Sequence, residues 1–235
     1  MLPLFYSEQR MERNKSILLD EETSKHIVQV LRMKRGEHLQ LTDGKGSSCN
    51  AVITDDHKKK VVVSLEEKEF QGPDKIKITI GISLLKNPNR FEWFLEKATE
   101  IGISEIVPMI CERTERLHFR LDRMKSLLVS AMLQSRQYWI PQLQEPVSFR
   151  KLVESAQHQQ KYIAHCLEEE KKKLVDVVSN SVTGQIMLIG PEGDFVNEEV
   201  KLAMDHQFLP VTLGKNRLRA ETAGVVAATL MKLNS

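Results

Sequence analysis

Two short stretches of this chain carry residues that could do chemistry. Gln185–Phe195 reads Gln-Ile-Met-Leu-Ile-Gly-Pro-Glu-Gly-Asp-Phe, and Val211–Ala223 reads Val-Thr-Leu-Gly-Lys-Asn-Arg-Leu-Arg-Ala-Glu-Thr-Ala. Each is a brief apolar run that halts at a glycine, Gly190 or Gly214, turns through polar residues and opens a helix-like segment. At such a turn, backbone amides and carbonyls reach a ligand that side chains would crowd out. One glycine turn means little; two predict a pocket built from loops. Phosphate binding fits poorly, because there is no Gly-x-x-x-x-Gly-Lys-Ser/Thr and no Gly-x-Gly-x-x-Gly after the first strand. A dinucleotide fold also places its glycines at the first strand-to-helix turn, whereas these come late. Glu192, beside Gly193, would repel a pyrophosphate. A cofactor without phosphate and with a positive centre suits the turn better, and S-adenosylmethionine, a neutral adenosine joined to a sulfonium, meets both conditions.

The elements that must position these turns follow from composition and periodicity. The chain has 235 residues, 41% hydrophobic and 28% charged, as expected of a globular protein with a real core. No apolar run approaches the roughly 20 residues of a membrane-spanning helix, and the first residues lack the pattern of a signal peptide. Three scattered cysteines (Cys49, Cys111, Cys166) indicate neither a disulfide framework nor a zinc ribbon, and the seven histidines show no metal-ligand spacing. No metal is expected, and a reducing, cytoplasmic setting fits. Up to about residue 70 the chain is strand-rich: Leu39–Thr42, Cys49–Ile53 and Val61–Leu65, with a turn at Asp43–Gly46. One helix capped by Asp20 carries His26, Ile27, Val30 and Leu31 at helical spacing. A small barrel with one inserted helix is predicted, ending at the Phe70–Lys75 boundary. Strands at Ile76–Ile82, Ile106–Ile110, Tyr162–Ala164, Ile186–Ile189 and Leu209–Leu213 then alternate with helices from Pro88, from Leu121, and at about 148–157, 197–206 and 220–233. That alternation predicts a mostly parallel sheet covered by helices.

Leu188–Gly193 and Leu213–Ala223 together resemble the two signature loops of the SPOUT methyltransferases, and most nearly those of the 16S ribosomal RNA (uracil-1498-N3)-methyltransferase family. Lys97-Ala-Thr-Glu-Ile-Gly, Ala131-Met-Leu-Gln-Ser and His26-Ile-Val-Gln-Val-Leu-Arg-Met-Lys-Arg-Gly extend the similarity over nearly the whole chain. The resemblance implies an α/β fold: a PUA-like β-barrel over residues 1–72 and a SPOUT catalytic domain with a C-terminal trefoil knot over 73–235. It also implies a homodimer with the cofactor cleft near the knot. The small-residue face of the last helix (Ala220, Ala223, Gly224, Ala227, Ala228) fits close packing against a partner or, equally, within one subunit. Three departures stand out. Asp194 occupies a place where the family often has a second glycine. The N-terminus, Leu2-Pro-Leu-Phe-Tyr, lacks the family's arginine. Arg136 falls one place early after Gln134-Ser135.

Carried over position by position, the resemblance puts Leu188, Gly190, Glu192, Gly193, Leu213, Gly214, Leu218, Arg219 and Thr222 around S-adenosylmethionine. His165, at the end of the Tyr162 strand, is either a further wall of the pocket or a structural histidine. The implied reaction is transfer of a methyl group to N3 of a uridine in 16S ribosomal RNA of the small subunit. That nitrogen must lose a proton while charge develops on its flanking carbonyls. Arg219 or Arg113 would stabilise the anion, and Glu192 or a water would take the proton. Net charge is only +2, so RNA contact rests on local clusters. The span Arg113–Arg136 holds six basic and two acidic side chains. Arg32, Lys34 and Arg35 on the barrel, with Arg113, Arg116, Arg120 and Arg136, are the phosphate-contact candidates. Two other readings stay open: a related methyltransferase acting on another ribosomal or transfer RNA nucleotide, and a non-catalytic RNA-binding assembly factor.

Overall fold

The structure is a computed structural model that describes residues 2–168 and 170–234. Met1, Glu169 and Ser235 lie outside the described residues, and with them the outermost positions of the expected 1–72 and 73–235 division. The chain forms two compact units, Met1–Pro73 with Met132–Ile140, and Asp74–Ala131 with Pro141–Ser235.

In the first unit, β1 (Leu4–Tyr6), β2 (Ser16–Leu18), β3 (His38–Thr42), β4 (Ser47–Asp55) and β5 (Val62–Phe70) form one sheet in the order β1-β3-β4-β5-β2. β1 runs parallel to β3 and the other pairs are antiparallel. Register shifts between Cys49 and Ala51 and between Ile53 and Asp55 bend β4. The curled, barrel-like sheet closes over Ile17, Ile27, Leu39, Leu41 and Val63, all fully buried. The Asp20 carboxylate accepts the Thr23 amide at 2.8 Å and starts α1 (Glu21–Lys25). The helix then widens into a π turn over His26–Val30, where the Leu31 amide donates to the His26 carbonyl at 3.0 Å. That widening breaks the apolar face expected from helical spacing. Ile27 stays buried, but Val30 and Leu31 turn outward, 65% and 43% exposed.

Residues 132–140 complete this unit. The Gly46 amide donates to the Tyr138 carbonyl at 2.8 Å and the Ile140 amide to the Gly44 carbonyl at 2.9 Å. Trp139 donates its indole N–H to the Gln71 carbonyl at 2.9 Å and meets Phe70 edge-on. Gly46 has φ +89°, and a Cβ there would lie 2.6 Å from the Trp139 ring. Only glycine satisfies both constraints.

The second unit holds β6 (Lys77–Ser83), α2 (Pro88–Ile101), β7 (Glu105–Ile110), α3 (Leu121–Gln134), β8 (Gln142–Leu143), β9 (Val147–Ser148) and α4 (Phe149–Ser155). It continues with β10 (Gln160–Ala164), β11 (Lys172–Lys173), α5 (Leu174–Val177), β12 (Gly184–Ile189), α6 (Asn197–Asp205), β13 (Leu209–Thr212) and α7 (Ala220–Leu233). The last residues of α3 belong to the first unit. The strands lie in the order β11-β13-β10-β12-β6-β7-β8, with β9 also on β7, and every pair is parallel. As in other parallel sheets, both faces are covered and the strands read as continuous apolar runs. The α2 helix begins where the Asn87 side chain accepts the Asn89 amide at 2.9 Å, and it stops at Gly102, with φ +87°. Its apolar stripe of Phe91, Phe94, Leu95 and Ala98 is buried. Of the two packings open for the small-residue face of α7, the one within the subunit holds at Gly224. A Cβ there would lie 2.6 Å from the Phe94 ring.

At the opposite edge of the sheet from the glycine turns, a polar cluster is half-buried. The Thr79 hydroxyl donates to Glu105 Oε2 at 3.1 Å and lies 3.0 Å from His158 Nε2, so His158 carries its proton on Nε2 and donates to the hydroxyl. Its Nδ1 is buried with no hydrogen-bond partner among the described residues. Burial lowers the His158 pKa, with Lys77 and Lys161 adding to the effect and Glu105 opposing it. Burial alone would raise the Glu105 carboxyl, but hydrogen bonds from Lys77, Gln144 and Thr79 outweigh it and the net shift is downward. Both shifts mean that the unfolded chain binds protons more readily than the folded one, so stability falls with pH. The loss begins as pH drops below the ordinary histidine value near 6.5 and deepens as it drops through the ordinary glutamate value near 4.5. Urea midpoints between pH 7.5 and 4 should show this decline, with His158→Asn flattening the upper part. A His158→Asn profile parallel to the wild type would sink the assignment.

Candidate functional site

In a parallel sheet the loops after the strands gather at one edge, where ligands reach backbone groups between neighbouring turns. Here β10 lies between β12 and β13, so residues 164–166, 189–194 and 211–219 converge although they are distant in sequence. They enclose a cavity of about 620 Å³, within the range typical of small-molecule sites. Its walls mix main chain at Gly190 and Gly214 with apolar Ile189, Leu213 and Leu218, and its rim carries both signs of charge. Gly214 takes φ +154°, which L side chains rarely adopt, and a Cβ there would meet nothing within 4 Å. The need for glycine at 214 is therefore conformational. At Gly190 it is steric, since a Cβ would stand 3.1 Å from the Phe195 ring and 3.3 Å from its amide nitrogen.

Of the residues expected around a cofactor, His165, Gly190, Glu192, Leu213, Gly214, Leu218 and Arg219 line this cavity. Leu188, Gly193 and Thr222 do not. Leu188 is fully buried within β12, where its side chain faces Gly81. Adjacent strand residues point to opposite faces, and it is the next residue, Ile189, that reaches the cavity. Gly193 lies beneath Arg113, whose Cδ would be 3.2 Å from a Cβ at that position. Thr222 is half-buried in the first turn of α7. Sequence reasoning missed Cys166, Lys171, Asp194 and Arg217, all of which line the cavity. Cys166 directly follows His165, so the signal that marked the histidine could have included it. The Cys166 thiol is pushed up by burial and by the neighbouring Asp194 carboxylate, so it stays a thiol near neutrality.

The charged candidates are tied down in different ways. Arg113 Nη1 donates to the Gly193 carbonyl at 2.6 Å, which brings this guanidinium onto the first glycine loop. Glu192 accepts the Lys86 backbone amide on both oxygens, at 3.2 and 3.4 Å. Arg219 is exposed, precedes α7 and lines the cavity. Asp194 takes φ +63°, a left-handed conformation that aspartate tolerates better than most side chains. That geometry accounts for its standing where a glycine would serve.

Of the arginines that follow β7, Arg123, in the first turn of α3, is spent on a two-pronged pair with Glu92, at 2.7 and 2.8 Å. Glu115 pairs with Lys86 at 2.7 Å. Arg113, Arg116, Arg120 and Lys125 form no ion pair among the described residues, although Arg120 adds to the field that lowers the Glu92 carboxyl. In the first unit, Arg32 and Arg35 are exposed, and Lys34 stands 3.9 Å from Asp56. Arg136, at φ +58°, donates to the Leu2 carbonyl at 2.6 Å and so has a structural bond of its own.

A family model for an RNA methyltransferase domain matches residues 72–232, and a model for an RNA methyltransferase PUA domain matches residues 19–66. A probable rRNA methyltransferase from Porphyromonas gingivalis superposes with a TM-score of 0.89 at 35% identity, over 97% of this chain and 95% of that one. Ribosomal RNA small subunit methyltransferase E from Neisseria gonorrhoeae, bound to S-adenosylmethionine, superposes with a TM-score of 0.88 at 27% identity, covering 99% and 98% of the two chains. Ribosomal RNA small subunit methyltransferase E of Rickettsia conorii is 26% identical over 231 residues, covering 97% of this chain and 94% of that protein.

Proposed function

This chain belongs to the RNA methyltransferase family, and from that premise we infer that it methylates ribosomal RNA with S-adenosylmethionine as donor. The observation that carries the reading is the cavity walled jointly by the loops at Gly190 and Gly214. Glycine main chain and the apolar side chains of Ile189, Leu213 and Leu218 suit a flat, uncharged purine nucleoside. Glu192 and Asp194 suit a sulfonium nearby. Held between these loops, S-adenosylmethionine would supply an electrophilic methyl group to the RNA base.

The finer target in this proposal is N3 of a uridine in 16S RNA within the small subunit, as the names of the relatives suggest. N3 lies between two carbonyls, so loss of its proton delocalises charge onto O2 and O4. We assign Arg219, free at the cavity rim, to hold that charge, with Arg113 held at the loop to meet the RNA backbone. The Glu192 carboxylate already accepts the Lys86 amide, which favours a water over Glu192 as the proton acceptor. The test is transfer of labelled methyl to ribosomal RNA lacking its native modifications, followed by nucleoside mapping. Absence of transfer to small-subunit RNA, with transfer to another RNA, would move the target. Absence of cofactor binding would favour the assembly-factor reading instead.

The phosphate contacts form part of the same proposal. Replacing Arg113, Arg116 and Arg120 together by glutamine should weaken RNA binding and lower the slope of log affinity against log salt by up to about 2 for single strands. An unchanged slope would refute the cluster. The proposal further includes a trefoil knot, a homodimer and a cytoplasmic setting. For the knot, the support is that segments following β12 and β13 both return across the cavity beside β10. For the dimer, it is an apolar stripe on α7, with Val226 and Leu230 half-buried and Leu233 78% exposed, beside α2 with its 42% exposed Trp93. Val226→Glu with Leu230→Glu should halve the mass measured by sedimentation; an unaltered mass would place the interface elsewhere. No helix among the described residues is long and apolar enough to cross a membrane.

A further inference from the structure

Three carboxylates on one short segment each close a different neighbouring loop. Glu192 accepts the Lys86 amide at 3.2 Å, Asp194 Oδ2 accepts the Cys166 amide at 2.7 Å, and Glu199 Oε1 accepts the Glu112 amide at 2.9 Å. The three amides belong to the loops after β6, β10 and β7. The segment leaves β12, which stands between β10 on one side and β6 with β7 on the other. It is placed to reach loops on both flanks, and its acids are spaced to do so. The second oxygens of Asp194 and Glu199 are used locally, on the Phe195 amide at 2.9 Å and the Val196 amide at 3.0 Å. Each acid is therefore fixed to its own segment by one oxygen and holds a foreign loop by the other.

The consequences differ on the two flanks. Cys166 and its neighbour His165 form the cavity wall beside Gly190. Glu112 directly precedes Arg113, whose guanidinium rests on the Gly193 carbonyl at 2.6 Å. We propose that the segment Glu192–Glu199 is a carboxylate staple in which Asp194 positions the cofactor-facing wall and Glu199 positions Arg113 for RNA. The assignment rests on the functional reading above for the identity of the two ligands, and on hydrogen bonds alone for the staple itself. Charge strengthens such bonds, since a carboxylate accepting a backbone amide is among the stronger protein hydrogen bonds. Asp194 keeps its place in a left-handed conformation that glycine would adopt freely, so its side chain must return something that glycine cannot.

A purely structural role would lower stability and weaken both ligands together; a positioning role separates them. Asp194→Gly should raise the Kd for S-adenosylhomocysteine about tenfold or more, the scale of one lost charge-assisted hydrogen bond. RNA affinity should change less than about twofold in that variant, and Asp194→Asn, which keeps one of the two accepting oxygens, should restore only part of the loss. Glu199→Ala should show the reverse pattern, weakening RNA and sparing the cofactor. Adding Arg113→Ala to Glu199→Ala should cost little more than either alone, because both remove the same contact. Equal losses of both ligands in each variant, or full additivity with Arg113→Ala, would overturn the proposal. If the wild type binds no S-adenosylhomocysteine, the functional reading fails, and amide hydrogen exchange then judges the staple alone. Protection at Cys166 should fall in Asp194→Gly and at Glu112 in Glu199→Ala; unchanged protection refutes it.

Discussion

Arg219→Ala should lower the rate of methyl transfer at saturating cofactor and RNA by about 10²–10³-fold, the usual effect of removing one fixed donor to a developing anion. The residue is exposed at the rim of the cavity, and only its backbone serves the helix, through its carbonyl accepting the Ala223 amide at 2.8 Å. Alanine keeps that backbone bond, so thermal stability should stay within the ±0.5 kcal/mol or so typical of surface changes. The loss would then belong to the chemical step. Single-turnover transfer separates that step from binding. Arg219→Lys should recover only a small part of the rate, because an ammonium keeps the charge but loses the planar fork that can address a carbonyl edge. A variant with an unchanged single-turnover rate would remove Arg219 from the reaction and leave Arg113 as the candidate.

Gly190→Ala should weaken S-adenosylmethionine binding by about 10–100-fold, from roughly 1–3 kcal/mol of overpacking. The added methyl would stand 3.1 Å from the Phe195 ring. Phe195 is 1% exposed and packs against Phe149, which resists the few tenths of an ångström by which the ring would have to give. The strain must move the loop, and the loop is the cavity wall. Gly214→Ala acts differently, because nothing crowds its Cβ and only the backbone angle of +154° resists. Calorimetric titration of the two variants should therefore show weaker binding in both, with the larger loss of thermal stability in Gly190→Ala. Wild-type affinity in Gly190→Ala would show that the loop does not touch the cofactor.

Much of the fold was legible because its signals are local. Asn87-Pro88 and Gly102 bracket α2, and both do so by short-range capping chemistry. The glycine stops at Gly190 and Gly214 marked the two loops for the same reason. What escaped notice depends on pairing at a distance. β1, β8, β9 and β11 are two or three residues long and exist only because a neighbouring strand holds them. Lys171 and Arg217 reach the cavity through the placement of β10 between β12 and β13, which no spacing encodes. Leu188 stands one step of strand alternation away from Ile189, the residue that lines the cavity. The uncompensated charge of the arginine cluster was overcounted because Glu92, which pairs with Arg123, lies 31 residues away. Asp194 was visible as a departure from the family pattern, but its bond to Cys166 spans 28 residues and could not be inferred.

The first unit closes through Trp139 and its neighbours, well beyond the end of β5 at Phe70. Domains usually fold in the order in which they leave the ribosome. Here the strands up to Phe70 must wait for Tyr138–Ile140 to be made before their last hydrogen bonds can form. A nascent chain arrested soon after Phe70 should expose the uncovered Gly46 edge to proteases. One arrested late enough for Ile140 to clear the exit tunnel should resist them.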